Sequence, residues 1–249
     1  MDKKKVLIVD DDESIREYLE KALVLEQYAV TTAGSAAEAL GVLKANPGGF
    51  PVVLSDIMMP GIDGMELLNF VKKEYPETIV IMLTANATME TAIKSLNIGA
   101  FGYLMKPVVL EELKGMLKNA YNKYNLTKEN QRLMQELKEE KEFTETIVKN
   151  LVYTVVATDS EGCIKKINKA MENLLGYTEQ ELVKVPIQSI FSKEFKLTSW
   201  DELMKQNQVR EYPMVLLTKD GRDIKVLFSG TIMKNTQGDI IGFLGTTSL

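Results

Sequence analysis

The sequence contains no histidine among its 249 residues and only one cysteine, Cys163. Without histidine there is no His–Ser or His–Cys catalytic pair, no histidine-ligated haem, little scope for zinc, and no phosphohistidine on this chain. A lone cysteine cannot close an internal disulfide, which suits a reducing compartment, and the cytoplasm is the expected location. No run of about 18 apolar residues occurs, so no membrane span is expected. The start, Met1-Asp-Lys-Lys-Lys5, lacks the apolar core and cleavage site of a secretory leader. A net charge of −5 gives no basic field to draw in nucleic acid, and no helix-turn-helix with basic contacts is evident.

What is present fits about two domains, each long enough for its own core. In the first half, short apolar runs alternate with helical patterns. Strands are expected at Val6–Val9, Tyr28–Thr32, Pro51–Leu54, Thr78–Leu83 and Phe101–Met105. Helices are expected around Ile15–Leu23, Ala36–Leu43, Met65–Tyr75 and Ala87–Ile98, with Met59-Pro-Gly-Ile-Asp-Gly64 as loop. That alternation predicts an α/β fold, a doubly wound five-stranded parallel sheet covered on both faces.

Ligands of such sheets bind beyond the carboxyl ends of the strands, where this sequence turns polar. Asp10, Asp11 and Asp12 follow the first strand, Asp56 the third, Thr84 the fourth and Lys106 the fifth. Crowded carboxylates repel one another and resist ionising. A divalent cation relieves this, and an oxygen set with room for water and phosphate suits Mg2+. Lys106 offers a point charge and Thr84 a hydroxyl donor to a phosphoryl group, and a carboxylate can act as the nucleophile. Asp12 reads as an acid that starts a helix.

Val9-Asp10-Asp11, Ser55-Asp56-Ile57-Met58-Met59-Pro60-Gly61-Ile62-Asp63-Gly64, Leu83-Thr84-Ala85 and Tyr103-Leu-Met-Lys106-Pro107 stand in this order. Over residues 4–122 the chain resembles the two-component response-regulator receiver family. The resemblance implies Asp56 as phosphoacceptor, with a sensor histidine kinase as donor. It implies Mg2+ held by Asp10, Asp11, Asp56 and the backbone carbonyl of Met58, and phosphoryl contacts from Thr84 and Lys106. It also implies a cis Lys106–Pro107 peptide and a switch role for Tyr103, which is otherwise read as a core aromatic. Beyond self-phosphorylation and self-dephosphorylation, no enzyme activity is implied.

From Leu110 to about Val148 there is no proline, and Gly115 is the only glycine. Leu126, Asn130, Leu133, Leu137, Glu140, Thr144, Ile147 and Leu151 follow seven-residue spacing, which predicts a parallel coiled-coil dimer; a charged single helix or loose linker is the alternative. Domain limits are placed at 1–122, 123–148 for the linker and 149–249.

Residues 149–249 read differently. Strands are expected at Val152–Thr158, Cys163–Ile167, Glu211–Leu217, Arg222–Lys234 and Ile240–Thr246. Asn168 is expected to cap one helix and Thr178-Glu-Gln-Glu181 to box another, with Asp159–Gly162 and Asp220-Gly221 as turns. Asp159-x-x-Gly162, Ile167-Asn168-x-Ala170, Leu175-Gly176-Tyr177, Lys219-Asp220-Gly221 and Gly238-Asp-Ile-Ile-Gly242 are similar to a PAS domain. That resemblance implies an α+β fold with an antiparallel sheet and leaves its ligand unknown. Cys163 sits beside a turn rather than in a photochemical helix motif, and Trp200, Phe191 and Phe195 read as packing residues.

Together these features predict a phosphorylation-driven signalling protein that relays a change through the linker to a sensor or dimerisation module. The alternatives are the N-terminal part of a longer histidine kinase or other signalling enzyme, and an interaction scaffold that is never phosphorylated.

Overall fold

The computed structural model describes residues 4–85, 89–192 and 208–248, with the side chains of residues 89–92 left aside. Contacts divide the chain into two compact units that meet in sequence between Gln135 and Glu136.

In the first unit β1 (Lys5–Val9), β2 (Ala29–Ala33), β3 (Val52–Asp56), β4 (Ile79–Thr84) and β5 (Gly102–Met105) pair in the order β2-β1-β3-β4-β5. Every pairing is parallel. Strands buried on both faces lack polar alternation, and Val6–Val9, Val52–Leu54 and Ile79–Leu83 are accordingly unbroken apolar runs. The helices α1 (Glu13–Leu25), α2 (Ala36–Ala45), α3 (Gly64–Glu74) and α4 (Met89–Ile98) connect the strands. The start expected at Ala87 falls outside the described residues. Side chains of the central strands feed two cores. One holds Leu7, Val9, Val53, Val80 and Met82 with α2 and α3, and the other holds Val6, Ile8, Leu54, Ile81 and Leu83 with α1 and the helix that follows β5.

Asp12, Ser35 and Asp63 cap α1, α2 and α3 by accepting the N–H groups of Ser14, Glu38 and Glu66. β2, β3 and β4 sit one or two residues later than the hydrophobic runs suggested, while β5 starts one residue later and β1 one residue earlier. Asp56 and Thr84 are the last residues of β3 and β4 rather than residues beyond them. Backbone pairing continues through Asp56↔Leu83 and Thr84↔Met105, because a polar side chain at a strand end does not break the ladder.

Helix α5 runs without interruption from Leu110 to Asn150, two residues past the expected linker end. In the first unit it buries Leu113, Leu117, Ala120 and Tyr121 against the sheet. The Tyr121 hydroxyl donates to the Lys5 carbonyl at 2.5 Å, and burial pushes that hydroxyl's pKa up. Two turns further, Lys128 pairs with Glu77, ahead of β4. The Lys128 contact comes first in holding the Glu77 carboxyl below its ordinary value, with Gln131 adding a second hydrogen bond.

The second unit is α+β. Its strands β6 (Val156–Thr158), β7 (Ile164–Ile167), β8 (Gln208–Leu217), β9 (Asp223–Lys234) and β10 (Ile240–Ser248) form an antiparallel sheet in the order β7-β6-β10-β9-β8. Helices α6 (Lys169–Leu175) and α7 (Glu179–Leu182) and a 3-10 turn at Ile187–Ile190 complete the described part. The first strand is shorter than expected. Residues 152–155 leave the sheet, because Val155 N–H turns to the Asn168 side chain and Thr154 to Thr247. β8 starts at Gln208 instead of Glu211, and β8 and β9 are joined by a loop of residues 218–222 in which Gly221 takes φ +82°. Glu181 accepts from the Thr178 N–H at 3.0 Å, as a capping box requires.

Phe228 and Phe243 stack in the core of this unit, with centroids 5.8 Å apart. They lie over Gly230 and Gly245: a Cβ at Gly230 would come within 2.1 Å of the Phe243 ring, and one at Gly245 within 2.5 Å of Phe228. Phe191 is buried in the same core. Cys163 is half-buried, and Phe195 and Trp200 lie outside the described residues.

Candidate phosphoryl and metal site

Three strand ends of the parallel sheet converge. Asp10 follows β1 and is fully buried, Asp56 ends β3 and is almost so, and Asp11 is exposed. Each of the three can offer a carboxylate oxygen to a point where all lie within 4.8 Å of one another. The Lys106 ammonium, just past β5, lies 2.5 Å from Asp56 Oδ2 and 2.7 Å from Asp10 Oδ2. Its backbone N–H donates to the Thr84 carbonyl at 2.7 Å, which ties the β5 exit to the β4 end. Thr84 is itself buried, and the Lys106–Pro107 peptide is cis.

The backbone around Asp56 is shaped by a close approach. The Ile57 N–H donates to the Leu83 carbonyl, and the Gly64 N–H returns to the Ile57 carbonyl, both at 2.9 Å. A Cβ at Gly64 would stand 1.9 Å from the Asp56 carbonyl oxygen, so only glycine lets α3 begin there. The Met58 N–H donates to Asp56 Oδ1 at 3.2 Å, and the Met58 side chain points into solvent. Its carbonyl is thus the part of Met58 available for a ligand role. Tyr103 on β5 is 39% exposed, so the ring lies at the surface and not in the core.

Burial pushes the Asp10 carboxyl up from its ordinary value, against the opposing pull of Lys106 and of the Asp12 N–H. Burial also acts to lower the Lys106 pKa, but its contacts with Asp10 and Asp56 outweigh this and hold it raised. Positive charge therefore stays on Lys106. Asp10 Oδ2 is buried and receives no directed hydrogen bond, although the ammonium is close. An inward oxygen held by charge alone, beside two further carboxylates, fits a hard cation that binds oxygen ligands. Asp10, Asp11, Asp56, Lys106 and Thr84 are thus drawn to one end of the sheet. Asp12 instead turns to α1, accepting the Ser14 N–H at 2.8 Å. Sequence reasoning had no signal for Arg16, whose guanidinium reaches back to the same loop.

Residues 6–118 match the response regulator receiver domain family, and residues 151–247 match the PAS domain family. The two-component response regulator ORR24 of rice is 42% identical over 126 residues, which are 51% of this chain and 20% of that protein. The DNA-binding transcriptional regulator NtrC of Escherichia coli is 40% identical over 119 residues, 48% of this chain and 25% of NtrC. The chain therefore spans no more than a quarter of either curated relative. Among solved structures, NtrX from Brucella abortus is 29% identical with a TM-score of 0.50, over 53% of this chain and 30% of that one. Among the described residues, no helix is long and apolar enough to cross a membrane.

Proposed function

We propose that this chain, a response regulator receiver domain followed by a PAS domain, takes a phosphoryl group on Asp56 from a separate histidine kinase and relays the change along α5. Its likeness to response regulators supports a place in two-component signalling. The observation that carries the reading is the convergence of Asp10, Asp11 and Asp56 with Lys106 at 2.5 Å from Asp56.

In this reading an Asp56 carboxylate oxygen attacks phosphorus as the bond from phosphorus to the donor imidazole nitrogen breaks. The imidazole leaves with its electron pair and takes up a proton. Asp10, Asp11, Asp56 and the Met58 carbonyl would hold Mg2+, which when bound supplies charge neutralisation for the phosphoryl oxygens. Lys106 then moves from pairing carboxylates to pairing a phosphoryl oxygen, and the Thr84 hydroxyl donates to another. Tyr103 responds to the displacement of Thr84. The chain acts as an acceptor in the cytoplasm rather than as an enzyme with a turnover substrate.

The relay requires α5 to serve two partners. Leu113, Leu117 and Tyr121 face the sheet, while Leu126, Leu133, Leu137 and Ile147 are substantially exposed at near-heptad spacing, as is Leu151 just past the helix end. A second copy of α5, parallel to the first, would cover that seam, with the PAS unit contributing to the pairing. The PAS unit has no assigned ligand. Phe228 and Phe243 over the two glycines favour a tightly packed interior serving as a dimerisation module.

The test is incubation of the intact chain with acetyl phosphate and Mg2+. A mass gain of one phosphoryl group, absent in Asp56→Asn and in EDTA, supports the reading; an unmodified wild type ends it. Cysteine crosslinks placed along residues 126–147 must also change with an acyl-phosphate mimic, or the relay fails.

A further inference from the structure

Asp10 and Asp11 are consecutive, and in an extended chain consecutive side chains and carbonyls point to opposite sides. Both carboxylates can reach one ion only if the backbone turns between them. Two interactions accomplish that turn. The Asp12 N–H folds back to Asp10 Oδ1 at 3.1 Å. From the first turns of α1, Arg16 Nη1 donates to the Asp10 carbonyl at 2.7 Å and to the Asp11 carbonyl at 3.1 Å. One nitrogen thus gathers two successive peptide oxygens that a strand would send apart.

We propose that Arg16 is a positioning residue for the cation site, setting the Asp10–Asp11 carboxylate pair by pinning both of their peptide oxygens. This rests on the reading of Asp10, Asp11 and Asp56 as cation ligands. The two cations of the site then have separate tasks. Lys106 neutralises carboxylate oxygens directly. Arg16 has no ion pair with a carboxylate among the described residues, so it shapes the loop without occupying a ligand oxygen. Arginine suits this role because its guanidinium never loses its charge and presents N–H groups at fixed angles. The guanidinium lies beside Gly34, between β2 and α2, where a Cβ would stand in ordinary contact, 3.5 Å from the guanidinium carbon.

The experiment titrates Mg2+ alone into the intact chain by calorimetry, for wild type, Arg16→Met and Arg16→Lys, with urea unfolding in EDTA alongside. Loss of an outer-shell support weakens metal affinity by about 10- to 100-fold, and that range is expected for Arg16→Met, with Arg16→Lys intermediate. Unfolding in EDTA should shift far less, and acetyl-phosphate labelling of Asp56 should recover when Mg2+ is raised to saturation. A merely structural arginine would not give that recovery. Unchanged Mg2+ affinity in both variants overturns the proposal, as does a loss of affinity matched by unfolding of the apo chain in the lysine variant. Should Arg16→Met not fold, Arg16→Lys decides alone. A wild type that takes up no Mg2+ is a different result: it removes the metal reading itself, and Arg16 with it.

Discussion

The Lys106 ammonium is shared between two carboxylates from different strands, 2.7 Å from Asp10 Oδ2 and 2.5 Å from Asp56 Oδ2. Among the described residues one ammonium pairs with the carboxylates of this three-acid cluster, so the cluster is under-neutralised, and the most buried acid gains most from additional positive charge. Breaking such a pair leaves an uncompensated buried charge, which costs about 3–5 kcal/mol. Lys106→Met is expected to lose stability on that scale in EDTA, and Mg2+ should restore part of it. Urea unfolding of both proteins with and without Mg2+ checks this; equal stability in EDTA would contradict it.

Gly64 carries a second prediction. Its missing Cβ would sit 1.9 Å from the Asp56 carbonyl, and neither atom belongs to a side chain that can swing away. Gly64→Ala should cost about 3 kcal/mol, at the upper end of overpacking effects, and should lower acetyl-phosphate labelling of Asp56 even where the protein remains folded. Thermal unfolding and intact mass measure the two effects separately.

The site was largely legible in the sequence because its residues interrupt apolar runs. An aspartate after Val6–Val9 or Val52–Leu54 stands out whatever the exact strand limits. The limits themselves were not legible: Asp56 and Thr84 keep their backbone pairing while their side chains serve the site. Arg16 escaped notice because an arginine in the first turns of a helix has no periodic or compositional mark, and its partners are carbonyls that every residue carries. In the second unit, turn chemistry marked Gly176, Gly221 and Asn168 well. The withdrawal of residues 152–155 from the sheet depended on Thr247, 93 positions from Thr154, a distance over which local pattern is silent.

The exposed seam of α5 leads to a third prediction. Leu133 and Leu137 are 50% and 63% exposed on the helix, and the proposed second copy would bury both. Leu133→Asp with Leu137→Asp should convert a dimer into a monomer in sedimentation, leaving Asp56 labelling intact. A dimer that survives both substitutions places the pairing elsewhere.

Asn168 is 2% exposed and serves four backbone groups. Its amide donates to the Leu151 and Tyr153 carbonyls, and its oxygen accepts from Val155 and Met171 N–H groups. Leaving a buried polar group without a partner costs about 1–3 kcal/mol, so Asn168→Ala should destabilise the second unit by at least about 3 kcal/mol. Urea unfolding of the intact chain, followed by circular dichroism, measures the loss.

A salt link gives a prediction in pH. The Lys219 ammonium, 2.5 Å from Glu181, is the main cause that holds the Glu181 carboxyl at about 2, below its ordinary 4.5. A folded-state pKa below the unfolded one adds stability that is complete above about pH 4.5 and is lost as pH falls through about 2. Glu181→Gln removes this dependence. The gap between wild type and variant in urea midpoint should therefore be widest near neutrality and close as the pH nears 2; a gap constant with pH would contradict the assignment.

The threonine pair Thr154 and Thr247 shares a 2.6 Å hydroxyl contact, and the Thr247 N–H donates to Thr154 at 2.7 Å. Thr247 belongs to β10, which lies between β6 and β9 in the middle of the sheet. A tug or twist arriving at the lead of residues 151–155 would thus be felt at the sheet's central plank, while Asn168 passes a share to α6. Mechanical load entering this unit would be spread through its interior rather than peeled off along an edge.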